Sequence, residues 1–216
     1  MGRQGIRYPI PGAVVIRPIS IAGGPQECYP PAMRWNQLTR RRLLQGMAIA
    51  ATGTELEATD QFIPTEEVGP GPFYKPGSPE RHSLREKGID GEPLRLTGKI
   101  LDTRGRPLAG ARIELWHVNT KGEYDNDGFR LRGQVASAAN GEYWFETFTP
   151  VAYGGRCMHL HVRVTAPSAK TIATEIQFEG DPKATKNSGA RASLAMKTTT
   201  KGGERQGSFL FVLRDA

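Results

Sequence analysis

A chain of 216 residues has room for one domain with a full hydrophobic core plus tails. Its 26 Gly, 16 Pro and 38% hydrophobic content favour a turn-rich β architecture over a helical bundle. The net charge of +7 does not mark a nucleic-acid binder, because much of the basic excess sits in Arg40-Arg41-Arg42 and between Lys183 and Arg205, with no aromatic-interleaved basic stripe. Such a surface would equally attract small anions such as aromatic carboxylates. No apolar run approaches membrane-spanning length, so no membrane partner is expected.

The first segment, 1–58, reads as a leader. Residues 1–32 are rich in Gly and Pro without periodicity, which fits a disordered arm or a start at Met33. Thr39-Arg40-Arg41-Arg42-Leu43-Leu44-Gln45, followed by the short apolar stretch Met47 to Ala51, fits a twin-arginine export signal. The chain is therefore expected in the periplasm or outside the cell, with the cytoplasm as the alternative. Residues 59–216 read as the folded domain. Within it, 60–93 look extended and loop-like around Gly69-Pro70-Gly71-Pro72-Phe73-Tyr74.

Strands then follow at short intervals: Leu94 to Leu101, Ala111 to Val118, Phe129 to Val135, Tyr143 to Phe148, Met158 to Ala166, Thr171 to Phe178 and Ser208 to Leu213. Asp102 to Pro107 and Ala139-Asn140-Gly141 carry turn chemistry. The pattern predicts an all-β sandwich of about seven to eight strands with long loops, Lys183 to Gly207 being one of them.

Of the four histidines, two stand in His159-Leu160-His161. Side chains two apart on a strand share a face, so both imidazoles are presented together, as half of a metal site for Zn, Cu, Ni or Fe. Two hydrogen-bonded sheet histidines are the plain alternative. Tyr124 and Tyr153 lie in polar, Gly-containing loops, where function on a rigid sandwich tends to be carried. A phenolate is a hard anionic ligand and favours Fe(III) over Zn(II).

These segments, taken in order, resemble the catalytic domain of the intradiol ring-cleavage dioxygenases, the family of catechol 1,2-dioxygenase and protocatechuate 3,4-dioxygenase. The resemblance is carried by Gly71-Pro72-Phe73-Tyr74, Gly98 to Asp102, Gly105 to Ala111, Glu114 to Tyr124, Phe129 to Gly133, Gly141-Glu142-Tyr143, Pro150 to Tyr153, Arg156 to His161 and Phe178 to Asp181. It implies a non-haem Fe(III) cofactor held by Tyr124, Tyr153, His159 and His161. Tyr153 would be the ligand that leaves when substrate binds, and Arg156 would balance charge on the substrate. It further implies cleavage of a catechol-type diol by O2 to a cis,cis-muconate-type product without an external reductant.

Tyr74, Arg132, Glu175 and Gln177 are the remaining candidates for substrate contact. Glu175 stands where the family has Gln, and Gln177 shares its strand face. An anion there calls for a proton or an arginine partner such as Arg156. The competing readings are a non-catalytic β-sandwich binding or scaffold domain, and a Zn or Cu site made by the two histidines alone. The family's helical dimerisation region has no counterpart here, and homo-oligomerisation by another route is left open.

Overall fold

The computed structural model describes residues 62–216. The leader reading of 1–58, including the twin-arginine segment, lies outside the described residues. Within them the chain forms nine strands: β1 (Pro93–Asp102), β2 (Arg112–Trp116), β3 (Arg132–Ala136), β4 (Glu142–Phe148), β5 (His159–Ala166), β6 (Ala169–Phe178), β7 (Ala195–Met196), β8 (Thr198–Lys201) and β9 (Glu204–Leu213). Two sheets result. One runs β4-β1-β9-β8 and the other β3-β2-β5-β6-β7. Pairing is antiparallel except for β1 with β9 and β6 with β7. No helix among the described residues is long and apolar enough to cross a membrane.

Period-two patterning decides which side chains fill the space between the sheets. In β1 it is Leu94, Leu96 and Ile100; in β2, Ile113 and Leu115; in β5, Leu160, Val162 and Val164. Phe145, Ile176 and Phe211 complete the centre of this core. The Asp102 turn is closed by its carboxylate, which accepts from the backbone N–H groups of Arg104 and Arg106 and from the Arg106 guanidinium. Those bonds hold the Asp102 carboxyl below its ordinary value against the opposing effect of burial.

The segment Lys183 to Gly207, expected to be one long surface loop, is more ordered than that. It contains two 3₁₀ turns (Lys186–Ser188 and Ala192–Leu194), β7, β8 and the first residues of β9. Ser188, Leu194 and Met196 are buried. Its polar composition concealed this, because the few apolar residues that anchor it are not periodic.

The second sheet is the platform for the site. Its core face is apolar, and its other face carries Glu114, Trp116, His159, His161, Arg163, Glu175 and Gln177. Loops cover that outer face. The N–H groups of Val68 and Gly69 donate to Ala173 O at 3.0 and 2.9 Å. Arg132 Nη1 donates to Phe73 O at 2.8 Å. The Ser188–Gly189 turn is tied to Arg156 and Gln177.

Candidate metal centre

His159 and His161 project from β5 on the covered face, 1% and 3% exposed, their rings edge to face with centroids 4.8 Å apart. His159 Nδ1–H donates to Cys157 O at 2.7 Å, which leaves the lone pair on Nε2. That Nε2 faces the Tyr153 hydroxyl at 3.5 Å, a long contact. Among the described residues His161 makes no hydrogen bond, and its Nδ1 is buried without a partner. Trp116 lies flat against His161, 5.3 Å between centroids and 7° between planes, and fixes the ring.

The loop tyrosines complete the cluster. Tyr124 Oη and Tyr153 Oη are 2.7 Å apart. Phe73 stacks on Tyr124 at 4.4 Å, and the Arg132 guanidinium sits 5.8 Å from the same ring. Two glycines allow this closeness. Gly71, at φ +68°, would put a Cβ 3.0 Å from His161 Cε1; Gly122, at φ +79°, would put one 2.9 Å from Tyr153 Cβ. Leu131 takes the left-handed conformation (φ +53°) just before β3, the turn from which Arg132 enters the sheet.

Burial sets the protonation of these groups. It pushes the His161 imidazole down to about 3, with the neighbouring His159 adding to the effect, and lowers His159 as well. Both are neutral donors at physiological pH. The Tyr124 hydroxyl is raised by burial and by its bond to Tyr153. A phenol in that position ionises only against a strong positive charge, which a bound metal cation provides.

Glu175, on β6 opposite His161, is 1% exposed. Burial alone would raise its carboxyl, but the charge of His159 where that ring is protonated, and the Gln177 amide and the Arg156 guanidinium throughout, hold it below the ordinary value. Arg156 Nη2 donates to both of its oxygens, at 2.7 and 2.8 Å, and Gln177 Nε2 donates to Oε2 at 3.0 Å. One donor atom each from His159, His161 and Glu175 falls within 4.8 Å of the others. Both Glu175 oxygens are already engaged, so its carboxylate is an ion-pair partner and the two imidazoles are the free donors.

A cavity of about 260 Å³ opens beside the cluster, a size suited to a single-ring molecule. Phe73, Tyr153, Arg156, His161 and Glu175 line it, with Val68, Gly69, Gly71 and Pro72 as the apolar remainder. Tyr74, Arg132 and Gln177, expected to contact substrate, do not line it. The Tyr74 hydroxyl donates to Glu114, and Arg132 braces Phe73 and the Asp125 carbonyl behind Tyr124. Gln177 turns to Glu175, Gly189 and Arg191. Sequence reasoning passed over Phe73 and Trp116 as site residues. An aromatic beside Gly71-Pro72, and one leading into the Tyr124 loop, were the available signals.

The chain that carries this cluster falls in a known class. The family described as Dioxygenase matches residues 70–207. The chain belongs to the intradiol ring-cleavage dioxygenase family. It is 33% identical over 141 residues to catechol 1,2-dioxygenase 1 of Acinetobacter lwoffii, covering 52% of this chain and 45% of that protein. It is 36% identical to hydroxyquinol 1,2-dioxygenase of Nocardioides simplex, covering 54% and 48%. The chain thus spans about half the length of the curated relatives it matches. Among solved structures it resembles the dioxygenase domain of a dioxygenase–carbohydrate-binding fusion protein from Streptomyces sp. SirexAA-E. The TM-score is 0.68 at 35% identity, over 71% of this chain and 100% of that one.

Proposed function

We propose that this chain is an Fe(III)-dependent intradiol dioxygenase that opens a catechol-type ring with O2 to a cis,cis-muconate-type product. The observation that carries the reading is a cluster of two phenol oxygens 2.7 Å apart and two neutral imidazoles, of which Tyr153 and His161 line one ring-sized cavity. The donor set fits a trivalent iron: two hard anionic oxygens and two imidazoles leave the centre one net positive charge for a further anionic ligand. Support also comes from the unpaired His161 and from a Tyr124 hydroxyl that ionises only beside a cation.

Ferric iron would supply chelation of the diol and withdrawal of electron density from its ring. The protein's own groups do the rest. Val68, Pro72 and Phe73 shield the ring from water. Tyr153 lines the cavity, and held as a phenolate by the metal it could take up a proton from a substrate hydroxyl and leave as a neutral phenol. Tyr124 does not line the cavity; held under Phe73 and beside Arg132, it keeps its position as a fixed ligand. Trp116 and the Cys157 carbonyl orient the two imidazoles.

The test is oxygen uptake with a panel of catechols on protein whose iron has been quantified. One oxygen consumed per diol, with a wine-red charge-transfer band, is the expected result. Y124F should bleach or shift that band and lower kcat/KM by about 100-fold or more. A colourless, iron-free protein that ignores every diol would return the sandwich to a binding or scaffold role.

A further inference from the structure

The cavity is lined by one cationic and one anionic side chain, and the two are already matched to each other. Arg156 gives Nη2 to both Glu175 oxygens and Nε to Ser188 O at 3.1 Å. The carboxylate is locked from the other side by Gln177, itself fixed by the Gly189 carbonyl and the Arg191 N–H. With Glu175 1% exposed, water screens its field poorly. The other nearby cations are committed elsewhere. Arg132 bonds the Phe73 and Asp125 carbonyls, and Lys75 bonds the carbonyls of Asn126, Asp127 and Gly128.

Building on the diol-cleavage reading above, we propose that Glu175 is a specificity-determining residue that makes this cavity select rings with neutral or cationic substituents over carboxylated ones. A carboxylated ring would have to share or break the Arg156 pair and would meet a fixed negative charge. The net positive charge of the whole chain draws anions toward the surface, but the one arginine of the cavity wall is already committed to Glu175. A neutral ring meets Phe73, Pro72 and Val68 without such a penalty. A cationic substituent escapes the repulsion that Glu175 imposes on a carboxylate, and the Arg156 charge it approaches is already paired.

The experiment uses the iron-loaded full chain and three phenols with one hydroxyl each, which therefore bind without being cleaved as diols. They are phenol, para-hydroxybenzoate and tyramine, and affinity is read by calorimetry and by the shift of the visible band. Wild type is expected to bind para-hydroxybenzoate about tenfold more weakly than phenol, and tyramine at least as tightly as phenol. E175Q, nearly isosteric and uncharged, should improve the hydroxybenzoate-to-phenol ratio about tenfold and weaken tyramine. E175D, which keeps the charge, should retain the wild-type order.

Equal or tighter hydroxybenzoate binding by wild type would overturn the proposal, since Arg156 would then be an open anion receptor. So would an E175Q ratio within about twofold of wild type. Failure of catechol, offered without oxygen, to shift the visible band of the iron-loaded wild type would sink the diol-cleavage reading, and this inference with it.

Discussion

At the residue scale the Arg156–Glu175 pair is the feature with the sharpest energetic consequence. Removing the arginine strands a buried carboxylate, whereas removing both charges does not. Because the Arg156 side chain is 36% exposed, R156M should cost metal-free protein about 2 kcal/mol, less than a fully buried pair. R156M/E175Q should recover at least half of that in chemical denaturation. A double variant as unstable as the sum of the singles would show that the two charges are not coupled.

His117 makes a different prediction. Its Nδ1–H donates to Val118 O at 2.8 Å, and its Nε2 accepts from the Thr147 hydroxyl at 2.6 Å. Burial pushes it down to about 4 from 6.5. The unfolded chain therefore takes up the proton first. Stability is lost as pH falls below 6.5, the loss growing to about 3 kcal/mol near pH 4 and then levelling. His159 and His161 add to this in metal-free protein. H117Q should therefore be compared with wild type at each pH. The stability advantage of wild type should shrink by about 2–3 kcal/mol between pH 7 and pH 4. A constant difference would mean that His117 titrates normally in the fold.

At the scale of elements, β1 shows how the sheet away from the site is built. It pairs antiparallel with β4 and parallel with β9, and Gly98 stands in both registers, opposite Tyr143 and Phe209. The Tyr143 hydroxyl crosses that position to donate to Phe209 O at 2.9 Å. A Cβ on Gly98 would lie 1.9 Å from that carbonyl oxygen and 2.6 Å from the hydroxyl. G98A is expected to cost about 3 kcal/mol or more and to lower Tm by about 10 °C. Gly98 lies in the opposite sheet from β5, so whatever G98A protein folds should still take up iron in wild-type proportion. Lost iron in a well-folded variant would show that the two sheets are more tightly coupled than their separate ladders imply.

For the whole molecule, the proposed ligands come from one strand and two separate loops, Tyr124 from one, Tyr153 from the other and both histidines from β5. No such centre exists in an unfolded chain, so metal affinity becomes folding stability. At about a thousandfold excess over Kd the gain is about 4 kcal/mol, or roughly 10 °C in Tm. Calorimetry before and after chelation should show a shift of that order, and Y124F should reduce it. Coincident melting of loaded and stripped protein would separate iron from the fold.

The sequence by itself determined the sandwich and the pairing of two histidines on one strand face. Alternation assigns Leu160, Val162 and Val164 to one face of β5 and His159 with His161 to the other, and the Asp102 and Asn140 turns mark strand ends. These are local relations, and a strand's period of two encodes them wherever the strand packs. Only tertiary structure decided what lies over that second face. The Gln177 amide turned onto Glu175 and Gly189, Phe73 over Tyr124, Trp116 under His161 and the buried anchors of 183–207 each depend on how separate segments pack. Such contacts follow from which loop backbone finds hydrogen-bond partners on the sheet, a non-local outcome that no periodicity within a single segment records.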